Sequence, residues 1–411
     1  MKDKPHRFFD GYIIVAAGFL IMTIMWGTYY SFGIFFEPVL KEFGWTRAAT
    51  SGAFSLSLVL TGFFAIVMGR LNDRFGPRKV ITACALLLGA GYILMSQISA
   101  LWELYLFYGL ILGIGLGGAF VPVASTISRW FIRRRSLMTG ITASGIGVGT
   151  FLMPPIANWL ISSYGWRTSY IIIGAVAAVL IIIAAQFLRR DPEKMGLKPY
   201  GENEVGQENS GLRVAGFSMH EAISTRQYWI CTVALFCAWF SICIIIAHIV
   251  IHAIGLEISP ASAANTLAIL GVGGIMGRII MGGAGDRIGN RAAIITSFVL
   301  MTLALLWLLI AKEAWMLYLF SILFGFAYGA VSTLESPMIA ELFGLGSHGL
   351  IFGVIFFSDS VGGAIGVVLA GRIFDIIGSY QPAFLTCVAL SVVSIILFLF
   401  LRPISKARLE D

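Results

Sequence analysis

Hydrophobic residues are grouped in long runs, and short polar or charged stretches separate one run from the next. Each run has roughly 20 residues or more, which as a helix is long enough to cross a hydrocarbon layer about 30 Å thick. Runs such as Ile171-Ile172-Ile173 are apolar on every face, whereas the strands of a membrane barrel alternate polar and apolar positions. The pattern therefore predicts twelve helices, over residues 12–36, 46–69, 79–99, 102–128, 137–163, 167–188, 228–255, 261–284, 291–311, 315–340, 348–371 and 380–402.

One long polar stretch, residues 189–226, divides the predicted helices into two groups of six. We therefore expect an all-α membrane protein with two six-helix bundles, 1–188 and 227–411, joined by a cytoplasmic linker. The first apolar run is too long for the core of a signal peptide and lacks a clear small-residue cleavage site, so it is interpreted as the first span.

The composition agrees with a membrane protein and excludes a water-soluble fold. Of 411 residues, 58% are hydrophobic and 12% are charged, against about 25% charged residues in soluble domains. The formal net charge of +7 would suit nucleic acid, but 22 of the 28 Lys and Arg residues fall on one side of the predicted membrane and five on the other. The positive-inside rule therefore predicts cytoplasmic termini, a plasma-membrane location such as a bacterial inner membrane, and no nucleic-acid partner.

The two groups of helices carry the same loop motif. Residues Gly69-x3-Asp73-Arg74-x-Gly76-x-Arg78 follow helix 2, and Gly282-x3-Asp286-Arg287-x-Gly289-x-Arg291 follow helix 8, an offset of 213 positions. The same offset relates Tyr105-Leu106-Phe107 to Tyr318-Leu319-Phe320. Such a duplication is typical of transporters whose substrate site lies near the bilayer midplane, between the repeats.

The doubled motif in a six-plus-six layout resembles the major facilitator superfamily, over essentially the whole chain. Two further segments are similar to signatures of the monocarboxylate transporter family and its bacterial oxalate/formate antiporter relatives. They are Asp10-Gly11-Tyr12 and Arg129-Trp130-Phe131-x2-Arg134-Arg135-x-Leu137-x2-Gly140-x4-Gly145-x3-Gly149. We interpret the loop motif as a gate, in which glycines allow close helix approach while Asp and Arg form ion pairs that can be broken.

Ionisable residues inside the spans that occur in only one repeat are the candidates for binding. Arg278 lies eight residues before Asp286, about 12 Å inside the boundary, and its repeat counterpart is Ala65. An arginine at that depth is costly and indicates either function or a structural ion pair. The resemblance implies function, since family members hold the substrate carboxylate with an arginine here. Its planar guanidinium can pair with both oxygens of a carboxylate.

Asp359 is the leading candidate for the proton carrier. It lies about 17 Å into helix 11, its repeat counterpart is Ile146, and a carboxylate can titrate whereas Arg278 cannot. We expect the two to pair in the empty site, so that protonation of Asp359 releases Arg278 for substrate. The alternative is a permanent structural pair without a transport role.

Weaker candidates surround this pair. Tyr29 and Tyr30 in helix 1 and Tyr328 in helix 10 are hydrogen-bond donors for a substrate, or packing aromatics. Glu335 in helix 10 is a second proton-relay candidate, ranked below Asp359.

Two histidines, His248 and His252, are four residues apart near the outer end of helix 7. Without a third ligand in register they are interpreted as a polar mouth or a pH-sensitive gate, not a metal site. The five cysteines lie in apolar runs and imply neither disulfides nor metal.

The chain differs from the resembled families at three positions. The oxalate/formate exchanger has a second cation where this chain has Asp359, so a dicarboxylate would be repelled. Animal monocarboxylate transporters have a lysine at the position of Tyr30 and an aspartate at that of Gly274. Their proton relay therefore does not carry over, and Asp359 would replace it.

These features predict a secondary active transporter that moves a small monocarboxylate, such as lactate or pyruvate, with a proton, as a monomer and without a cofactor. The alternative is a proton-independent carboxylate exchanger of the oxalate/formate type. A carboxylate receptor is disfavoured because the sequence shows no soluble signalling domain. Drug export is disfavoured because it would leave Arg278 without a role. No catalytic constellation indicates an enzyme.

Overall fold

The computed structural model describes residues 9–201 and 216–402. Eleven helices in these ranges are long and apolar enough to cross a membrane. The longest has 53 residues and is interrupted at Gly165, where φ is 76° and ψ is 160°, so it provides two spans and confirms the predicted twelve. We number the spans α1 (Gly11–Phe43), α2 (Arg47–Phe75), α3 (Pro77–Met95), α4 (Leu101–Trp130), α5 and α6 (Arg135–Phe187, before and after Gly165), α7 (Arg226–Gly255), α8 (Pro260–Ile288), α9 (Asn290–Leu308), α10 (Ala314–Phe343), α11 (His348–Ile377) and α12 (Gln381–Leu399).

The second glycine of each loop motif makes a tight reversal between two spans. Gly76 has φ 84° and Gly289 has φ 87°, which is a backbone region that residues with a side chain rarely adopt. Each glycine ends one span and caps the next, between α2 and α3 and between α8 and α9. The repeated glycine is therefore a requirement of the turn.

Both described chain ends and the loops 131–134 and 344–347 lie at one end of the bundle, which we call the terminal face. Here α2 packs against α11 and α5 packs against α8, so that each half contacts the other. The first motif glycines allow this: β-carbons at Gly69 and Gly282 would meet the backbones of Gly349 and Ser136.

The two halves separate toward the other end of the bundle, the opposite face. Gly271 on α8, about two turns beyond Arg278, has open space around the position of its missing β-carbon. On α5, Phe151 is 74% exposed. Gly140 and Gly147 of α5 contact Arg278 and Ile275 of α8, and one turn farther on the same faces are Phe151 and Gly271. The molecule is therefore closed at the terminal face, and the helices are apart beyond Gly147, which leaves a space between the halves.

The ends of the linker are attached to the loops of the terminal face. Phe131 and Tyr200 form an isolated parallel bridge, and the Phe217 amide donates to the Phe343 carbonyl at 2.7 Å. Between them, residues 202–215 lie outside the described ranges.

Candidate functional site

Arg278 lies on α8 where the two halves meet, and its side chain is only 2% exposed. A β-carbon at Gly140 on α5 would overlap the Arg278 carbonyl oxygen, so α5 and α8 are in close contact at this point. The Arg278 Nη2 donates to the hydroxyl of Tyr328 at 2.9 Å. The guanidinium carbon is also 5.0 Å from the centre of the Tyr328 ring, within the range of a cation–π interaction.

Much of the hydrogen-bonding capacity of Arg278 is unused among the described residues. Nε is buried and has no partner. Nη1 points toward two glycines, and their missing β-carbons would lie 3.2 Å away at Gly274 and 3.9 Å away at Gly147. Because Gly147 belongs to the N-terminal half and Gly274 to the C-terminal half, this end of the guanidinium reaches the boundary between the halves.

Trp239 on α7 connects Tyr328 to a second ionisable residue. Its ring meets that of Tyr328 edge to face with centres 5.9 Å apart. Its Nε1 donates to Glu335 Oε1 at 2.7 Å. Glu335 is fully buried on α10, and its Oε2 has no hydrogen-bond partner. Arg278 is close enough to attract Glu335 electrostatically.

Asp359 on α11 is 2% exposed, and neither of its carboxylate oxygens has a hydrogen-bond partner. The ion pair with Arg278 expected from the sequence is not formed, because Arg278 is turned toward Tyr328 on α10. Glu335 is a carboxyl group within electrostatic range of Asp359. The site thus holds one guanidinium and two carboxyl groups, and three of the four carboxyl oxygens are unpaired.

Tyr30 reaches the space between the halves from α1. It is 40% exposed, although it stacks on Trp26 with ring centres 5.7 Å apart. Its hydroxyl interacts electrostatically with Tyr328 and Arg278 of the other half. Tyr30 therefore lies near the predicted binding residues of the other half.

Tyr29 points away from the space between the halves and into the N-terminal half. This position does not support the prediction that it binds substrate. It is 1% exposed, and its ring stacks on that of Phe54 with centres 4.8 Å apart. Its hydroxyl is 2.9 Å from the Ser57 hydroxyl. Neighbours on a helix are about 100° apart around the axis, so only one of two adjacent tyrosines faces the space.

The histidines near the opposite face join α7 to α11 and α12. Nε2 of His248 lies 3.1 Å from the Val367 carbonyl oxygen, and Nδ1 lies 3.1 Å from the Tyr380 hydroxyl. The carbonyl can only accept, so Nε2 carries the proton. The hydroxyl can donate to neutral His248 or accept from charged His248, so both protonation states keep these contacts. The geometry therefore favours a structural role for His248 over the expected pH-sensitive gate.

His252 also packs in this cluster. Its ring lies edge to face against Phe384 with centres 5.0 Å apart, and its Nε2 is buried without a partner. In the described ranges no group of three or more His, Cys, Asp or Glu residues could hold a metal ion.

The two motif aspartates close the terminal face by capping helices of the opposite half. Asp73 accepts from the Leu350 amide at the start of α11 at 3.0 Å. Asp286 accepts from the Ser136 and Leu137 amides at the start of α5, both at 2.9 Å. A carboxylate at a helix N-terminus satisfies free amides and is attracted by the helix dipole.

The ion pairs of the motif differ from expectation. Asp73 pairs at 3.1 Å with Arg129, which is outside the motif. Asp286 forms no ion pair within 4 Å among the described residues and acts through backbone amides. Arg291 donates to the Phe398 and Leu399 carbonyls at the end of α12. Arg74, Arg78 and Arg287 are exposed at the terminal face.

Two buried residues, one near the site and one in the contact between the halves, are not among the residues predicted from the sequence. Trp239 falls in a run that is apolar throughout, and nothing marks it as facing Glu335. His348 is the first residue of α11 and fully buried in the contact between the halves. A signal exists for His348, since its repeat counterpart is a charged residue, Arg135.

Twelve spans, a duplicated loop motif and a buried arginine between two six-helix halves describe a transporter scaffold, and family comparison agrees. The model of the Major Facilitator Superfamily matches residues 17–282 and 228–411. The chain belongs to this superfamily. Among solved structures, the superfamily transporter FucP in its outward conformation matches with a TM-score of 0.73 at 17% identity, covering 96% of this chain and all of that one. The proton:xylose symporter XylE matches with a TM-score of 0.75 at 13% identity, covering 95% and 96%.

Curated relatives of this superfamily member support the resemblance to monocarboxylate transporters. Monocarboxylate transporter 13 of Bos taurus is 29% identical over 91% of this chain and 85% of the relative. Monocarboxylate transporter 12 of Mus musculus is 27% identical over 97% and 86%. The uncharacterized MFS-type transporter YcxA of Bacillus subtilis (strain 168) is 27% identical over 87% of both chains.

Proposed function

We propose that this protein is a secondary active transporter that moves a small monocarboxylate together with a proton by alternating access. The observation that carries the proposal is Arg278, a buried guanidinium at the boundary between the halves. Tyr328 takes one N–H of Nη2, and Nε, Nη1 and the second N–H of Nη2 are left for a ligand. A carboxylate pairs with two parallel N–H groups on one edge of a guanidinium, either Nε with Nη2 or Nη1 with Nη2. The relatives named as monocarboxylate transporters favour the same substrate class.

The charges of the site favour one carboxylate per substrate. Arg278 provides the one positive charge, while Glu335 and Asp359 would repel a second carboxylate. Tyr30, Tyr328 and Trp239 offer aromatic surface and polar tips to the remainder of a small molecule such as lactate or pyruvate.

Proton coupling follows from the same charge count. With both carboxyl groups ionised, the three residues carry a net charge of −1 and an anion is disfavoured. Protonation of Asp359 or Glu335 brings the site to zero, and protonation of both brings it to +1. A proton therefore has to bind before or with the anion, and Asp359 is the first candidate because both its oxygens are unpaired.

Alternating access requires the aspartate caps at the terminal face to dissociate while the halves approach each other at the opposite face. Following the positive-inside rule, we assign the terminal face to the cytoplasm of a plasma membrane, such as a bacterial inner membrane. The described contacts complete the site within one chain, which is consistent with a functional monomer.

The experiment is uptake of labelled lactate, formate and oxalate into proteoliposomes, with and without a pH gradient. We expect lactate to accumulate when the outside is acidic, and Arg278→Lys to lower its uptake at least about 10-fold because an ammonium cannot form the bidentate pair. Equal lactate counterflow with no response to pH would instead establish the proton-independent exchanger, and failure of all three anions would refute carboxylate transport.

A further inference from the structure

His348 is buried within the closed terminal face. It is the first residue of α11 and is fully buried. Its Nε2 lies 3.0 Å from the Ser336 carbonyl oxygen, and because a carbonyl can only accept, Nε2 carries the ring proton. Nδ1 then has a free lone pair, and it has no hydrogen-bond partner. In this closed form the ring is neutral and offers one unsatisfied site for a proton.

The neighbours of His348 belong to both halves. On α10 the Ser336 hydroxyl lies 3.1 Å from the hydroxyl of Ser128 on α4, across the boundary. The adjacent Gly349 packs on α2, where its missing β-carbon would lie 3.0 Å from both Asp73 oxygens. A change of charge at His348 therefore acts directly on the contact between the halves.

The charges that face His348 oppose its protonation. Arg129 on α4 and Arg135 on α5 both repel a positive ring electrostatically. Asp73 on α2 is the opposing negative charge, but its oxygens already accept from Arg129 and from the Leu350 and Gly349 amides. Arg129 also pairs with Asp191 at 3.5 Å, so Asp73 and Asp191 are both already engaged by this arginine and neither is positioned to pair with a cationic His348. A positive charge on His348 is therefore disfavoured in this contact.

The two repeats have different ionisable residues at the position of His348. The counterpart of His348, 213 residues earlier, is Arg135, the first residue of α5. The counterparts Leu137 and Leu350 each donate an amide to a motif aspartate of the opposite half. One half therefore has a permanent charge at the start of its capped helix, and the other has a residue whose charge depends on pH.

We propose that His348 is a proton-operated latch: binding of a proton at Nδ1 weakens the contact between the halves and favours the form that is open at the terminal face. The neutral ring holds the closed form. Acidification on the terminal side then increases opening to that side, whichever substrate the protein carries.

The test measures the distance between spin labels on the purified protein in detergent, from pH 8 to pH 5.5. Labels are placed at Lys79→Cys and Ala292→Cys, which are exposed repeat counterparts at the terminal face, in a Cys243→Ser background because the other cysteines are buried. We expect the population with long distances to rise at least about threefold on acidification. His348→Gln, whose amide can still donate to Ser336, should keep the short distance throughout, and His348→Arg should show the long distance at every pH.

The matched control is His220→Gln, an exposed histidine of the linker helix Met219–Ile223, which should behave as the wild type. His348→Gln retains Asp73 and Asp286, so a wild-type pH response in that variant would assign the effect to the carboxylates and overturn the latch. An absent response in the wild type, or its loss in His220→Gln, would overturn it as well. Since His348→Gln preserves the hydrogen bond, the test remains decisive if His348→Arg does not fold.

Discussion

Arg278 and Tyr328 form the central contact of the site: the guanidinium donates to the tyrosine hydroxyl at 2.9 Å and lies 5.0 Å from its ring centre. The two residues come from α8 and α10 of the same half, so the arginine is oriented before any substrate binds. This contact uses one N–H of Nη2, so under the proposed function a carboxylate would pair with the other N–H of Nη2 together with Nε or Nη1.

Arg278→Lys should lower kcat/KM for lactate at least about 10-fold, because the ammonium keeps the charge but loses the planar donor set. Initial uptake rates in proteoliposomes measure this, with thermal unfolding as a check that the variant is folded. Lys79→Arg, an exposed change of the same kind, is the control. Normal kcat/KM in Arg278→Lys would contradict a bidentate role.

Tyr328→Phe should raise the KM for lactate by about 5–10-fold, since it removes one hydrogen bond that orients Arg278. The matched control is Tyr29→Phe, which loses a hydroxyl contact with Ser57 inside the N-terminal half. That variant should unfold at a lower temperature but keep its KM. If the two variants exchanged these effects, the assignment of Tyr328 to the site and of Tyr29 to the core would be wrong.

Asp359→Asn should uncouple transport from protons. We expect lactate counterflow to persist while accumulation driven by a pH gradient falls at least about 10-fold, because the neutral amide cannot release a proton. Glu335→Gln should have a smaller effect, since one Glu335 oxygen already accepts from Trp239. Undiminished accumulation in the double variant would exclude both residues as proton carriers.

Gly274→Ala should weaken binding of lactate more than binding of formate. The added methyl would lie 3.2 Å from Arg278 Nη1 and narrow the space next to it. Competition by the two anions against labelled lactate gives the ratio of their affinities. Gly271→Ala, on the same helix with open space around it, should leave this ratio unchanged.

Asp73→Asn should favour the form open at the terminal face, because a neutral amide loses the ion pair with Arg129 and weakens the cap of α11. The label pair at positions 79 and 292 reports the distance. Arg74→Ala, which removes an exposed charge of the same motif, should have little effect. A closed protein in both variants would show that the cap does not hold the face shut.

Much of the architecture could be predicted from the sequence because hydrophobic length and the positions of glycines are local signals. The spans, the interruption between residues 163 and 167 and the glycine turns of the doubled motif follow from them. Arg278 stood out because charge inside a membrane is rare. The depth of a residue in a span can be counted, but its direction around the helix depends on the packing of neighbouring helices. Tyr29, Trp239 and the missing Arg278–Asp359 pair illustrate that limit.

The two aspartate caps are reciprocal: Asp73 of the first half holds α11 of the second, and Asp286 of the second half holds α5 of the first. Each half thus supplies one carboxylate and one helix end to the same face. Opening requires both caps to dissociate in one event, so it should behave as a cooperative two-site transition. With one cap removed, the remaining cap would act as a hinge, and the halves would tilt apart asymmetrically.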